Sequence, residues 1–274
     1  MPRLHPPPAR TTLLLVLAWG AAFAGADAGT TDRIPVLMYH HLVEGAPQGS
    51  AELHVDCFEA QMAFLAEHGY RPLTLDEFAT YHADGAFPER SLLITFDDGY
   101  RSFREHAFPV LQRHGFTAVV FPLVATRPGL QRVVLFADQL SFHDLRAVAV
   151  DGGLIQVGSH TYDLHHRGDD GVPAALRQPD ETSSQHLERV RADLLLSRML
   201  LEQQTDQAVT ALAWPFGVSS EAVATVARGV GFELQFTTEE GYVTADSPLD
   251  ALPRFNVAAL EGTCFTCVLT RALP

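Results

Sequence analysis

Apolar residues at helical spacing, followed by a glycine and then by a strand-like apolar run, recur at three places in the chain. This pattern predicts an amphipathic helix that ends at a glycine in the left-handed conformation and leads directly into a strand. The three places are residues 58–65 before Gly69, residues 103–111 before Gly115 and residues 223–230 before Gly231. A helix that leads into a strand in this way is a repeating unit of α/β proteins.

Short apolar runs predict eight strands along the chain, at residues 34–39, 71–74, 91–96, 118–121, 154–157, 209–214, 234–237 and 252–257. Residues 92–94 are apolar without a break, which is typical of a strand covered on both faces. About seven or eight β/α units fit into the roughly 246 residues that follow the N-terminal segment. The sequence therefore predicts a single-domain α/β fold, a (β/α)7–8 barrel. An open doubly wound sheet is the alternative, although no Gly-x-Gly-x-x-Gly motif follows a strand.

Residues 1–28 have the pattern of a signal peptide. Arg3 and Arg10 give a positive start, residues 12–24 are apolar, and small residues suited to cleavage follow. The apolar run is shorter than the roughly 20 residues that cross a bilayer, and an uncleaved N-terminal anchor is the alternative. We therefore expect a mature domain at 29–274, exported to the periplasm or secreted, with no transmembrane span.

The net charge and the absence of lysine argue against several classes of function. The chain has 33 acidic and 19 basic residues, for a formal net charge of −14, which argues against a nucleic-acid partner. All of the basic residues apart from the histidines are arginines. Mechanisms that need a lysine amine, such as Schiff bases, pyridoxal phosphate or the Walker A motif, are therefore excluded, and no organic cofactor is predicted.

The three cysteines carry little functional signal. Cys264 and Cys267 form a Cys-x-x-Cys motif near the C-terminus, and Cys57 lies far from them in the sequence. No second Cys-x-x-Cys or Cys/His pair completes a zinc site. A local disulfide or two buried thiols is therefore favoured over redox or metal chemistry.

Two adjacent carboxylates, Asp97 and Asp98, follow the apolar strand predicted at residues 91–96 and precede Gly99. Because α/β folds place their sites at the carboxyl ends of parallel strands, this pair is a candidate for catalysis or metal binding. The backbone turns at the end of a strand, so both side chains could face one cavity. The alternative is a simple turn in which Asp98 caps a helix.

A histidine-rich loop follows another predicted strand, at residues 154–157. His160, His165 and His166 lie within seven residues, and His160 and His165 are five positions apart, which does not place them on one helical face. From a loop they could converge on one ion with Asp98, giving two imidazoles and a carboxylate with positions left for water and substrate. Zinc is the default ion for such a set, with nickel, cobalt or iron possible. Ordinary loop histidines are the alternative.

Two more strand ends carry candidate residues. His40 ends the first strand, and the segment Trp214-Pro215-Phe216-Gly217 ends the strand predicted at 209–214. Backbone N–H groups at Phe216 and Gly217 could face a developing oxyanion, and Trp214 could line the substrate site. The alternatives are a strand-end histidine with ordinary partners and a turn that serves packing.

Together, the Thr-Phe-Asp-Asp-Gly motif, the Ser-His-Thr…His motif and the Trp-Pro-Phe-Gly strand end resemble the polysaccharide deacetylases (NodB-homology, carbohydrate esterase family four). The details near His40 and after His160 look like the branch that acts on poly-β-1,6-N-acetylglucosamine. The resemblance implies a distorted (β/α) barrel. It also implies that Asp97 is the general base, that Asp98, His160 and His165 hold the metal ion, and that His40 is the general acid.

The chain departs from the family pattern at two points. The commonest family spacing would put the second histidine ligand at Leu164, so the ligand must be His165 or, as the alternative, His166. The arginine that orients the base elsewhere in the family is absent before Pro215, and Arg254 is a candidate to replace it.

The predicted function is a metal-dependent hydrolase that removes N-acetyl groups from an exported N-acetylglucosamine polysaccharide and releases acetate. Its partner would be that N-acetylated polysaccharide, and its cofactor a divalent metal ion. The alternatives are an O-acetyl polysaccharide esterase and a catalytically silent carbohydrate-binding barrel.

Overall fold

The structure is a computed structural model that describes residues 29–124, 138–150, 153–258 and 273. The predicted signal segment 1–28 and the Cys264/Cys267 motif lie outside the described residues, so the expectations for them stay predictions.

Helices and short strands alternate along the described part of the chain. The α-helices are α1 (Val55–Glu67), α2 (Leu75–Asp84), α3 (Phe108–His114), α4 (Phe142–Val150), α5 (Ser183–Thr205) and α6 (Glu221–Val230). A π-helical turn spans Phe103–Ala107 and a 3-10 turn spans Pro215–Gly217. The strands are β1 (Thr30–Thr31), β2 (Arg33–Ile34), β3 (Val36–Tyr39), β4 (His41–Val43), β5 (Glu52–His54), β6 (Arg71–Pro72), β7 (Phe87–Pro88), β8 (Ser91–Asp98), β9 (Ala118–Pro122), β10 (Ile155–Val157), β11 (Ala211–Ala213), β12 (Leu234–Phe236), β13 (Val243–Thr244) and β14 (Phe255–Asn256).

The main sheet is parallel, with the strand order β10-β9-β8-β3-β14, and β6 also pairs with β8. Strands β11 and β12 form a separate parallel pair. Isolated bridges link Ser159, just after β10, to Leu212 in β11, and Phe236 in β12 to Leu252. The predicted α/β class with a parallel sheet is confirmed. The carboxyl ends of β3, β8 and β9 therefore lie at one edge, where the candidate residues were expected.

The core has two layers because side chains alternate along the strands. On β8, Leu92, Ile94 and Phe96 belong to the larger apolar cluster, which includes the buried faces of the helices. Leu93 belongs to the second cluster, on the opposite face of the sheet. By the same alternation Asp97 follows Leu93 on this second face, and it is almost fully buried.

Helix ends follow the sequence signals. Gly115 and Gly231, at the ends of α3 and α6, are in the left-handed conformation with φ of 65° and 105°, as predicted. Helix α2 was not predicted, although its capping box was in the sequence: Thr74 Oγ1 accepts from the Glu77 N–H and Glu77 Oε2 accepts from the Thr74 N–H.

All eight predicted strands have a strand at their position, but several are shorter than expected. The strand expected at 252–257 is reduced to Phe255–Asn256, and the one at 209–214 to Ala211–Ala213. The first predicted strand is divided between β2 and β3. Among the described residues, no helix combines the length and the apolar character needed to cross a bilayer.

Candidate active site

The two carboxylates at the end of β8 point to one region because the backbone turns between them. Asp98 has a left-handed φ of 66°, which is rare for a residue other than glycine, and Gly99 follows at 71°. A Cβ on Gly99 would lie 2.8 Å from the Cβ of Pro122, so only glycine fits there. The turn expected from the Asp-Asp-Gly motif is present, and it serves to orient the carboxylates.

Asp98, His160 and His165 form a cluster of three donors. The Nε2 atoms of His160 and of His165 each lie 3.4 Å from Asp98 Oδ1. One ligand atom from each residue lies within 4.8 Å of the others, and this is the cluster among the described residues that could hold a metal ion. His166 is outside it, which answers the question of which histidine faces Asp98.

The distances from the two histidines to Asp98 are those expected around a tetrahedral metal ion. Two donors that are each about 2.1 Å from a zinc ion at the tetrahedral angle lie about 3.4 Å apart. Asp98 Oδ1 is buried and has no hydrogen-bond partner among the described residues. A buried acceptor without a partner is costly, and a cation between these donors would supply the missing interaction.

The protonation of the cluster also suits metal binding. His160 Nδ1 donates to the carbonyl oxygen of Ala213 at 2.8 Å, which leaves Nε2 with its lone pair directed at Asp98. Burial lowers the pKa of His160 to about 3 and also lowers the pKa of His165, so both imidazoles are neutral. Burial raises the pKa of Asp98 to about 6, and a bound cation would favour its ionised form.

Asp97 lies outside this cluster and is held by Arg254. Arg254 Nη1 and Nη2 donate to the two carboxylate oxygens of Asp97, each at 2.7 Å, and both residues are buried. Burial alone would raise the pKa of Asp97, but the charge and the hydrogen bonds of the Arg254 guanidinium hold it well below its usual range. Asp97 is therefore ionised and fixed in orientation.

Further hydrogen bonds and two aromatic rings hold the Arg254 side chain in place. Its Nε donates to the carbonyl oxygen of Thr237 at 2.9 Å, and Nη1 also donates to Thr95 Oγ1 at 3.2 Å. The guanidinium carbon lies 5.9 Å from the ring centres of both Phe121 and Phe236. The sequence could identify Arg254 only as a candidate, because the signal was the absence before Pro215 of the arginine that orients the base elsewhere in the family.

His40 is a second neighbour of Asp97. Its Nε2 is 3.9 Å from Asp97 Oδ2, and its Nδ1 is buried without a hydrogen-bond partner among the described residues. The adjacent His41 has different surroundings, since its ring stacks on Tyr100 with the ring centres 4.5 Å apart. The strand end thus directs one histidine of the pair toward the carboxylates.

The strand end at residues 214–217 requires two corrections. Trp214 is fully buried and its indole N–H donates to Gln235 Oε1 at 3.0 Å, so the prediction that its side chain contacts substrate is wrong. The Gly217 N–H already donates to the carbonyl oxygen of Trp214 at 2.8 Å, so it is not the free oxyanion donor that was predicted. A tight turn uses that N–H internally.

Phe216 remains at the site. Its backbone is left-handed, with φ of 58°, and its ring lies against His165 with the ring centres 4.6 Å apart. The guanidinium of Arg167 lies 4.6 Å from the centre of the same ring. The contact between the rings of Phe216 and His165 had no sequence signal, because it joins two separate loops.

The chain matches the family model described as polysaccharide deacetylase over residues 84–234, which is more than half of its length. The chain therefore belongs to the polysaccharide deacetylase family, and the resemblance expected from the motifs is confirmed.

Curated relatives narrow the comparison. The chain is 27% identical over 236 residues to the poly-β-1,6-N-acetyl-D-glucosamine N-deacetylase of Escherichia coli K12, covering 78% of this chain and 35% of that protein. It is also 27% identical over 201 residues to the protein of that name in Staphylococcus aureus MSSA476, covering 73% of this chain and 66% of the relative. The chain thus spans about a third of the Escherichia coli protein.

Solved structures show the same fold. The deacetylase domain of BpsB from Bordetella bronchiseptica superposes with a TM-score of 0.68 at 26% identity, covering 81% of this chain and 95% of that one. IcaB from Ammonifex degensii also gives a TM-score of 0.68 at 26% identity, covering 82% of this chain and 91% of that one.

Proposed function

We propose that this chain is a metal-dependent N-deacetylase that releases acetate from a poly-β-1,6-N-acetylglucosamine-like polysaccharide. The observation that carries the proposal is that the adjacent carboxylates of Asp97 and Asp98 have different surroundings. Asp98 Oδ1 faces two imidazole Nε2 atoms at 3.4 Å, while Asp97 is held apart by Arg254. The names of the Escherichia coli and Staphylococcus aureus relatives support the choice of polymer.

The metal site would be made by Asp98, His160 and His165. A divalent ion held there, with zinc as the default and nickel, cobalt or iron as alternatives, would polarise the acetyl carbonyl and lower the pKa of a water molecule. Three protein ligands leave a position open for water and substrate, which is the usual arrangement of catalytic zinc sites.

Asp97 would act as the general base. Its carboxylate is ionised, lies beside the metal donors without belonging to them, and is aligned by both Arg254 Nη atoms. It would take the proton that the attacking water loses as the new C–O bond forms. Arg254 would position Asp97 and would not touch the substrate itself.

His40 would act as the general acid. As an imidazolium it would donate a proton to the glucosamine nitrogen as the C–N bond of the amide breaks, so that the products are acetate and a free amine on the sugar. Its Nε2 lies 3.9 Å from Asp97 Oδ2, which puts the two proton carriers next to each other. The Phe216 N–H is the backbone donor proposed for the developing oxyanion.

We also propose that the sheet closes into a distorted barrel. The bridges from Ser159 to Leu212 and from Phe236 to Leu252 support this, because β14, three residues after Leu252, pairs with β3. The export signal at 1–28, with a mature polysaccharide deacetylase domain at 29–274 in the periplasm or outside the cell, is part of the same proposal.

Acetate release from two substrates tests the proposed function. We expect the metal-loaded chain to release acetate from a β-1,6-linked N-acetylglucosamine oligomer and to leave O-acetylated xylan largely intact. Release from the xylan alone would favour the O-acetyl esterase. Release from neither, with oligomer binding that does not change in Asp98→Ala, would favour the silent carbohydrate-binding barrel.

A further inference from the structure

The loop between His160 and His165 has no regular secondary structure, yet all four of its internal backbone N–H groups donate to side-chain oxygens. The pairs are Thr161 N to Ser159 Oγ at 2.9 Å, Tyr162 N to Asp193 Oδ1 at 2.9 Å, Asp163 N to Asp193 Oδ2 at 2.7 Å and Leu164 N to Thr161 Oγ1 at 3.1 Å. Every residue between His160 and His165 is therefore fixed by a hydrogen bond from its backbone N–H.

Asp193 supplies two of these four acceptors from outside the loop. It lies on α5, and its two carboxylate oxygens receive the N–H groups of the consecutive residues Tyr162 and Asp163. A carboxylate that accepts from two successive N–H groups fixes the orientation of the peptide plane between them. This interaction joins residues about thirty positions apart and is independent of the metal donors.

Ser197 supplies a second anchor on the same face of α5, four residues further along. Its hydroxyl is hydrogen-bonded to the Ser159 hydroxyl, and both side chains are fully buried. Residues four apart on a helix lie on one face, so Asp193 and Ser197 form a pair of anchors under the loop. Through Ser159, this second anchor reaches the N–H of Thr161.

The loop contains a backbone conformation that needs such support. Thr161 has a left-handed φ of 75°, which is unfavourable for a β-branched residue. Such conformations persist only where the surrounding contacts over-determine them. The N–H and the side chain of Thr161 are both engaged, which meets this condition directly after the first histidine.

We propose that Asp193 and Ser197 are positioning residues that preorganise the loop so that His160 and His165 converge on Asp98 before a metal ion arrives. The inference rests on the metal site of the proposed function and deepens it. Without the anchors, the loop would have to be ordered as the ion binds, so metal affinity would fall. For outer-shell partners the loss is about 10–100-fold.

The variant Asp193→Asn is suited to the test because it keeps the size of the side chain and one acceptor oxygen, and replaces the other oxygen with an NH2 group that cannot accept from the loop. A cavity of about 500 Å³ adjoins Asp193 and is also lined by Asp180, an exposed carboxylate with no hydrogen bond to the loop. Asp180→Asn removes the same charge at the same cavity and is the matched control. If Asp193→Asn does not fold, Ser197→Ala, which removes only a hydroxyl, tests whether the anchors affect metal binding.

Zinc affinity by chelator competition is the first readout, and hydrogen exchange of the metal-free chain at residues 161–164 is the second. We expect zinc binding about 10–100-fold weaker in Asp193→Asn, and weaker binding with faster exchange in Ser197→Ala, with Asp180→Asn unchanged. Unchanged affinity and exchange in both anchor variants would overturn the inference while leaving the proposed function intact. A wild-type chain that binds neither zinc nor nickel, cobalt or iron would overturn both.

Discussion

Arg254 donates to both carboxylate oxygens of Asp97 at 2.7 Å, across a separation of 157 residues. This buried pair distinguishes the two carboxylates at the end of β8, because Asp97 is held ionised by a guanidinium while Asp98 faces two neutral imidazoles. Neighbouring residues of one type thus have different surroundings, and the proposed function assigns them different roles on that basis.

Replacing Arg254 with Met should impair both catalysis and stability. Asp97 would lose its orientation, and a small misplacement of a catalytic group costs about 10²-fold in rate. Loss of one partner of a buried pair also costs about 3–5 kcal/mol, because the other charge stays buried. Acetate release and urea unfolding measure the two effects, with metal content expected to be unchanged. Wild-type activity in Arg254→Met would contradict the positioning role.

His40, which follows β3, and His41, the first residue of β4, provide an internal comparison for the general acid. We expect His40→Gln to lower the rate of deacetylation by about 10²–10⁴-fold, because the leaving nitrogen would lose its proton donor. His41→Gln should have little effect on rate, since His41 stacks on Tyr100 and faces the carboxylates of Glu52 and Asp138. If the two variants lost activity equally, the assignment of His40 would be wrong.

A second adjacent pair tests the metal ligands. His165→Ala should lose zinc affinity by more than the about 10–100-fold typical of an outer-shell partner, because it removes a direct donor. His166→Ala should retain the wild-type affinity, since His166 is outside the cluster. Isothermal titration with zinc measures both. If His166→Ala lost more zinc affinity than His165→Ala, then His166 and not His165 would be the metal ligand.

The loop that follows the histidines should loosen in acid. Hydrogen bonds from Arg189 lower the pKa of Glu181 from 4.5 to about 2. A lowered pKa in the folded state stabilises the fold above pH 4.5, and this stabilisation is lost as the pH falls from 4.5 through about 2. We therefore expect the urea midpoints of wild type and Glu181→Gln to differ more at pH 5 than at pH 3. An equal difference at both pH values would contradict this.

Much of the site could be predicted because parallel strands bring their carboxyl ends to one edge. Asp97, Asp98, His160 and His40 all follow apolar runs, and that local pattern was enough to identify them as candidates. The structure places all four within one region. The α/β class followed from the same alternation of helices and strands.

Other features depended on contacts that a single sequence does not display. The sequence could not decide between His165 and His166, because no local pattern predicts the path of an irregular loop. Within that loop Thr161 is left-handed, a conformation for which a β-branched residue gives no signal. The anchors Asp193 and Ser197 looked like ordinary positions of a long helix. Trp214 and Gly217 were misjudged because strand-end residues can serve packing or an internal turn as well as a substrate.

Stepwise addition of zinc to the metal-free chain, with acetate release from a β-1,6-linked N-acetylglucosamine oligomer followed at each step, tests the central claim most directly. We predict no release without metal and a rise that ends at one zinc ion per chain. Asp97→Asn should bind the same single ion without turnover. Full activity in the metal-free chain, or loss of the ion in Asp97→Asn, would contradict the account.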